Sequence, residues 1–433
     1  MNPEKSDSNQ PDRSRTQLAD FIRRYALLAL LPVLLLGSYY SLTHHVVNRS
    51  AGETGEVALS LLKNGVMADP YIIPTGPTAH TAPGTVGLLA LTYALFDGNT
   101  SSARIAQSFL ALAFYLGGVL LVIRYCRVKG IGSGGWIVAL TITCMLPVHL
   151  YASLVFWRQW DQPVSAFLIA ALLLAWMAPR AADESPYARA IAIAAIGGIG
   201  GLFAPVLPIA ACIAEIDLAW KQRAWRAAAV GLIIIIASLM PWAMRNQQML
   251  GSFILTRSNF GLELAVGNHA GASGTYTLAG APEIHPHNFK PAAQRLAQIG
   301  EVAYMGEMKQ LAVNWIKANP EAFVRLSLTR ARLLFFPDMV DSDPLFSWTK
   351  RLIIWTTSLL LLSMLAVVFF MRLPVLPWLT CVVLPIGPYI LTHATQRYAF
   401  PTHFAAVCLI ATGIDALARR YQTQKTGTRS TIA

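Results

Sequence analysis

Charge is what this chain has least of. Asp, Glu, Lys and Arg make up 13% of its 433 residues, about half the share found in soluble domains. Set beside 55% hydrophobic residues and a mean hydropathy of +0.48, that deficit excludes a soluble enzyme. Cysteine is sparse as well. Cys126, Cys144, Cys212, Cys381 and Cys408 lie in or beside apolar runs with no CxxC pair or metal-ligand spacing, so neither a disulfide framework nor a zinc site is expected. The first apolar run, Tyr25 to Leu42, lacks a small-residue cleavage site and is read as a retained span, not a signal peptide. No internal repeat is visible, which argues against an inverted-repeat transporter.

What the chain does have is a succession of apolar runs from Leu27 to Ile414. A transmembrane helix needs about 20 apolar residues, fewer inside a bundle. On that basis the sequence predicts an all-α polytopic membrane protein of about ten spans, at 25–43, 103–123, 133–151, 162–178, 188–202, 204–218, 227–243, 352–371, 374–391 and 399–417. Ala188 to Asp217 is too long for one upright helix. Gly200-Gly201, then Pro205 and Pro208, predict a break into a hairpin of two short helices. Thr85 to Phe96 is apolar but short and is assigned to the outer interface, because counting it as a span would reverse the side of every later loop.

The net charge of +12, from 34 Lys+Arg against 22 Asp+Glu, would suggest nucleic acid in a soluble protein. Here it follows position. Arg13, Arg15, Arg23 and Arg24 precede the first span, and Arg124, Arg127 and Lys129 follow the second. Arg180, Arg189, Lys221, Arg223, Arg226, Arg372, Arg419, Arg420 and Lys425 fall on the same side. By the positive-inside rule both termini are cytoplasmic, and nucleic acid drops out as a partner. The expected organisation is a cytoplasmic tail (1–24), an N-terminal transmembrane module (25–243) with its first outer loop at 44–102, an extracytoplasmic domain (244–350), C-terminal transmembrane helices (351–417) and a second cytoplasmic tail (418–433). The polar ends, 1–20 and 421–433, are predicted to be disordered.

The residues that could carry chemistry gather on the outer side. Glu53 and Glu56 lie just past the first span, and at spacing i, i+3 they would share a helix face. A carboxylate there suits general-base work on an acceptor hydroxyl or a divalent cation; acidic residues are also favoured at any helix N-terminus. Further along the loop stands Thr78-Ala-His80. The second outer region opens on Pro241-Trp242-Ala-Met-Arg245-Asn246. Arg245 sits where a lipid phosphate would reside and suits bidentate contact with it, although an Arg snorkelling at a helix end is common. Asn259, Gly261, Glu263, Gly267 and Asn268 suit tight turns near a ligand. His285-Pro-His287 has no clear third metal ligand and reads as a turn, and 291–318 reads as one amphipathic helix. Late in the chain, Arg397-Tyr398 precedes the last span, where an Arg without a partner is costly and functional by default. Asp161 is expected to pair with Arg158 or to supply a second site carboxylate.

Together these motifs resemble the GT-C glycosyltransferases, in particular bacterial proteins of the family 39, dolichyl-phosphate-mannose-protein mannosyltransferase type. The resemblance runs from about Glu53 to Pro401. It rests on Glu53-x-Gly55 with Thr75-Gly-Pro-Thr78-Ala, on Pro241-Trp242 with Arg245-Asn246, on Asn259-x-Gly261-x-Glu263-Leu with Gly267-Asn268, on Gly300-Glu301-Val-Ala-Tyr304 and on Arg397-Tyr398. It implies a GT-C-like bundle with an outer-face loop domain. The implied activity moves a sugar from a polyprenyl-phosphate donor to a glycan, lipid or protein acceptor, with inversion, at the periplasmic face of a bacterial inner membrane. The family's catalytic carboxylate matches Glu53; many relatives carry Asp there, so the choice between Glu53 and Glu56 stays open. By the same resemblance Arg245 and Arg397 hold the donor phosphate, while His80, Thr78, Asn246, Asn259, Glu263, Asn268, Tyr398 and Asp161 line the substrate site. No cofactor is fixed; a divalent metal, Mg or Mn, stays an open expectation. Two other readings compete: a transporter or flippase of a lipid-linked saccharide, and a non-catalytic membrane assembly subunit.

Overall fold

The computed structural model describes residues 10–47, 49–50, 52–179, 184–275, 283–338 and 348–430. Arg180, residues 1–9 and 431–433 of the tails, Asn48 of the first outer loop and the Ala281-Pro282 pair ahead of His285 lie outside the described residues. Helix α1 (Gln10–Tyr25) leads into α2 (Leu30–Thr43), and the first outer loop holds α3 (Gly52–Asn64) and α4 (Pro83–Leu95). Next come α5 (Ser101–Val128), α6 (Ser133–Leu140), α7 (Val148–Val155) and α8 (Gln162–Met177), then α9 (Pro186–Gly201), α10 (Val206–Gln222) and α11 (Trp225–Leu250). The second outer region contains α12 (Phe260–Gly267), α13 (Lys290–Ile299), α14 (Glu301–Ala318) and α15 (Pro320–Phe335). The chain closes with α16 (Trp348–Phe370), α17 (Leu376–Trp378), α18 (Gly387–Leu391), α19 (Gln396–Ala399) and α20 (His403–Ser430). Among the described residues extended pairing is limited to two isolated bridges, Ala68 with Pro77 and Thr275 with Ala394.

This is the all-α, polytopic architecture expected from the sequence. Among the described residues six helical stretches are long and apolar enough to cross a membrane: Gln17–Thr43, Ser101–Val128, Ser133–Val155, Trp225–Leu250, Arg351–Phe370 and Gln396–Gln424. The other apolar segments form shorter helices. The hairpin break falls at 202–205, between α9 and α10, after the paired glycines and at Pro205.

Other boundaries differ for stated reasons. The third predicted span is two helices joined through a wide turn at 141–145, because Pro147 cannot donate to the ladder. Pro377, Pro385 and Pro388 likewise divide 376–391 into short turns. The amphipathic stretch 291–318 splits at Gly300, whose φ of 83° turns α13 into α14. The Asn/Gly-rich run after Asn259 is helix α12, not a string of turns. Residues 10–20 and 421–430, expected to be disordered, continue helices α1 and α20.

Helices α5, α8 and α20 share the main core, where Val119, Leu172, Leu173 and Phe404 are fully buried. Arg127 Nη2 donates to Arg23 O (2.9 Å), Arg419 Nη2 to Gly130 O (2.9 Å) and Lys129 Nζ to Met177 O (3.2 Å), so the basic helix ends meet at one end of the bundle. At the other end a second core forms from α12, α13 and α14, with Tyr71 inserted from the first outer loop.

Two glycines let α12 approach neighbouring backbone. A Cβ on Gly261 would stand 2.1 Å from Met305 O, and one on Gly267 1.9 Å from Thr392 O. Gly267→Ala is therefore expected to push α12 away from the 392–395 loop and to cost about 1–3 kcal/mol. A thermal unfolding midpoint in detergent equal to that of the unsubstituted protein would refute this.

Candidate functional site

The helix ends opposite the basic cluster surround a cavity with about 1400 Å³ of empty space, its open mouth included. Glu53 and Thr54 of α3, His80 and Thr81 of the first loop, and the Trp160-Asp161-Gln162 corner form one side. Arg257, Asn259 and Glu263 at the start of α12 face Tyr389, His393, Arg397 and Tyr398 from the turns before α20.

Glu53 sits in the first turn of α3. Its Oε2 pairs with His80 Nε2 at 2.9 Å, and Tyr71 Oη hydrogen-bonds His80 Nδ1 at 2.9 Å. Glu53 Oε1 is buried without a hydrogen-bond partner, 3.7 Å from His285 Nε2. Burial disfavours the Glu53 charge, but the charge of His80, its hydrogen bond, and His285 and His287 outweigh that and hold the carboxyl well below its ordinary value. Burial disfavours a charged His80 too; the charge and hydrogen bond of Glu53, with Glu263 and Glu301 behind, overcome it and raise His80. Each group thus favours the charged form of the other.

The cationic side has a complementary feature. Arg397 donates Nη2 to Tyr398 Oη at 3.0 Å and lies over the rings of Trp160 (4.6 Å) and Tyr398 (4.9 Å), yet its Nε is buried without a partner. Arg257 donates Nη2 to Phe203 O at 3.2 Å and meets Asp161 Oδ1 at 3.4 Å; its Nε is unpartnered as well. Two guanidinium groups with free N–H donors in one cavity suit an anion with several oxygens. Tyr389 stacks on Tyr398 at 3.7 Å and 4°. On the opposite side Asn259 Nδ2 donates to Glu263 Oε1 at 3.0 Å, and Glu263 Oε2 lies 3.7 Å from His393 Nδ1.

The residues singled out from the sequence thus divide. Glu53, His80, Asp161, Asn259, Glu263, Arg397 and Tyr398 line the cavity; Glu56, Thr78, Arg245, Asn246 and Asn268 do not. Glu56 is exposed on α3 while Glu53 points inward. Arg245 is a clamp instead of a cavity group: Nη1 donates to Thr78 O (2.8 Å) and Nη2 to Met67 O (2.8 Å), which steadies the loop carrying His80. Asn246 holds Ile254 O, and Asn268 holds Leu264 O and Leu391 O beside the buried Arg330. Asp161 finds Arg257; Arg158, its expected partner, donates to the carbonyls of Val155, His45 and Val47.

Thr78 belongs to a knot around Glu301. The Glu301 carboxylate accepts from Thr78 Oγ1, from Ala79 N at 2.8 Å and from Ser258 Oγ at 2.6 Å. It thereby joins the segments that carry His80 and Arg257. Glu301→Ala leaves three donors at a largely buried position and is expected to destabilise the protein by about 2–4 kcal/mol. Glu301→Gln, which keeps the shape, should recover part of the loss in thermal unfolding; equal stability of both variants with the parent would refute the assignment.

Arg257, His393, Trp160 and Tyr389 are not assigned to the site from sequence, and His285 reads there as part of a turn. The signals were present: a His-Pro-His segment, and a His four residues before Arg397. The glutamate pair that could have held a divalent cation does not converge, because Glu56 is exposed while Glu53 points inward. Among the described residues no group of three or more His, Cys, Asp or Glu is disposed to hold a metal. Glu53 has imidazoles for neighbours, whereas a hard divalent cation takes mostly oxygen ligands; the donor set does not fit one.

No protein-family profile matches the chain, and no curated protein matches it. Among solved structures it is similar to the apo oligosaccharyltransferase of Archaeoglobus fulgidus, at 13% identity and a TM-score of 0.45, over 94% of this chain and 52% of that one. It is also similar to ArnT from Cupriavidus metallidurans, at 16% identity and a TM-score of 0.40 in the apo state, over 91% of this chain and 78% of that one. A further structure of that ArnT, bound to undecaprenyl phosphate, aligns at 13% identity with a TM-score of 0.39, over 91% of this chain and 78% of that one. The chain spans about half the length of the archaeal enzyme.

Proposed function

We propose that the protein is an integral-membrane glycosyltransferase of the GT-C kind, which transfers a sugar from a polyprenyl-phosphate donor to an acceptor with inversion. The observation that carries this reading is one cavity holding a buried carboxylate oxygen without a partner, Glu53 Oε1, and two guanidinium groups with unpartnered Nε donors, Arg257 and Arg397.

Displacement at an anomeric carbon needs both. The acceptor oxygen attacks C1 as Glu53 Oε1 takes its proton, and the C1–O bond to the lipid phosphate breaks with its electron pair on the phosphate oxygen. Arg257 and Arg397 neutralise the charge that develops there. His80 holds Glu53 in orientation through Oε2, leaving Oε1 for the acceptor. Of the two glutamates, Glu53 is the base in this reading, and Arg257 takes the phosphate role assigned from sequence to Arg245. Glu263, Asn259 and the Tyr389–Tyr398 stack line the sugar side. With the basic helix ends facing the cytoplasm, the cavity opens on the periplasmic side of a bacterial inner membrane, and the acceptor is a glycan, lipid or protein reached from there.

The test is sugar transfer by purified protein in nanodiscs, with a panel of polyprenyl-phosphate sugars as donors and membrane extract from a deletion strain as the acceptor source. Transfer with inversion supports the reading. Donor binding without transfer from any sugar would replace it with a transporter or a non-catalytic subunit.

A further inference from the structure

Behind Trp160 lies a second, narrow cavity, whose empty space of about 350 Å³ includes its opening. It shares Thr85 and Trp160 with the wall of the main cavity and is otherwise bounded by Gln107, Arg158, Gln159 and apolar side chains of α4, α5 and α8. Gln159 is 0% exposed, and neither its amide nitrogen nor its amide oxygen has a partner. Gln107 is 2% exposed; its Nε2 donates to Thr92 Oγ1 at 2.9 Å, which leaves Oε1 unpartnered. Thr85 Oγ1 and, on the main-cavity wall, Gln162 Oε1 are buried and unpartnered too.

Buried amides and hydroxyls in native proteins are almost always hydrogen-bonded, to protein, to water or to a ligand. Here five such atoms on four neighbouring side chains are left open. The Arg158 guanidinium on the same wall is taken up by the carbonyls of Val155, His45 and Val47; the open groups are neutral and include both donors and acceptors, so the chemistry that satisfies them is uncharged and offers both in return. The pocket adjoins the main cavity at Trp160, the ring that also lies under Arg397. A group entering it would therefore belong to a molecule whose phosphate is held by Arg397.

We propose that the Gln159 pocket is a specificity subsite receiving an uncharged, hydrogen-bonding substituent of the transferred sugar, a hydroxyl or a carboxamide. This rests on the donor reading above. Water fills the pocket in the free protein and is displaced by the substituent. A donor lacking that group leaves the amides unpaired, and this is the source of discrimination.

The experiment measures binding to the full-length protein in nanodiscs. The probes are glucose, N-acetylglucosamine, 2-deoxyglucose and 6-deoxyglucose, each on the same polyprenyl phosphate. The unsubstituted protein is expected to bind one polar-substituted donor on the order of tenfold more tightly than its deoxy counterpart, the worth of one to two neutral hydrogen bonds. Gln159→Leu, which places an apolar side chain of similar size at that position, is expected to abolish that difference and leave binding of the deoxy donor unchanged. Gln107→Leu should reduce the difference in part. No discrimination by the unsubstituted protein, or discrimination retained in Gln159→Leu, overturns the subsite and leaves a water pocket only. Transfer is read in parallel: discrimination in binding without transfer sustains the subsite and removes the transferase.

Discussion

Glu53→Gln is expected to lower kcat for sugar transfer by about 10²–10⁴, the usual contribution of a positioned general base, while donor binding persists. The amide keeps the shape of the carboxylate and its contact with His80, but it cannot take the acceptor proton. Activity retained at the parental level would move the base elsewhere in the cavity, to Asp161 or Glu263. The pH dependence sharpens the test. Because His80 holds the Glu53 carboxyl below its ordinary value, Glu53 stays ionised well into acid, and the acid limb of kcat/KM lies below the ordinary carboxylate range. In His80→Gln the main opposing influence is gone and burial dominates, so that limb should move to higher pH. The same pair fixes a stability window. Glu53, with its pKa lowered, contributes stability above the ordinary carboxylate range that is lost as pH falls through its folded pKa. His80, with its pKa raised, contributes stability below about 6.5 that is lost as pH rises through its folded pKa. An acid limb that does not move in His80→Gln would show that the rate does not report Glu53.

Arg397→Gln is expected to cost about 10²–10³ in kcat, as for removal of one preorganised donor from a site of developing charge. It should also weaken binding of a polyprenyl phosphate that carries no sugar. The reason is the unpartnered Nε beside an Nη2 already engaged by Tyr398: the guanidinium is held by its neighbours with a donor left for a ligand. Arg397→Lys should recover little, since an ammonium has neither the planar fork nor the face that stacks on Trp160. Binding of the lipid phosphate unchanged in Arg397→Gln would remove the anion from this side of the cavity. Arg245→Gln is the contrasting case. Its donors go to Met67 O and Thr78 O, so its loss should lower thermal stability by loosening the first loop and affect phosphate binding only through that.

The likeness between sequence and structure is uneven for physical reasons. Apolar runs and prolines identify helices and their breaks because both act locally, which is why the hairpin at 202–205 and the long helix α5 were legible. Breaks that depend on a single glycine or on proline inside an apolar run, at Gly300 and Pro147, are weaker signals because nearby propensity favours continuing the helix. The tails read as disordered from composition alone, since few apolar residues fall within 10–20 and 421–430. Among site residues, Glu53 and Arg397 stood out because an ionisable group beside a membrane is conspicuous in sequence. Arg257 did not, because nothing local distinguishes a cavity-facing cation from one in an exposed turn; His285 stands out as half of a His-Pro-His pair but reads locally as a turn.

By itself the sequence determined that this protein is a bundle of apolar helices with polar chemistry gathered in the segments between them. The energy of moving charge and unpaired backbone into a membrane leaves few alternatives. Only the tertiary structure decided which polar groups meet. Arg245 and Arg397 look alike in sequence, each beside the end of an apolar run. The fold places backbone carbonyls against the first and leaves an open donor on the second. Glu53 and Glu56, three residues apart, part company because one turn of α3 packs toward His80 and the other toward solvent. Those choices rest on contacts between segments more than 20 residues apart, such as Glu301 with Thr78 and Glu53 with His80, and no local pattern encodes them.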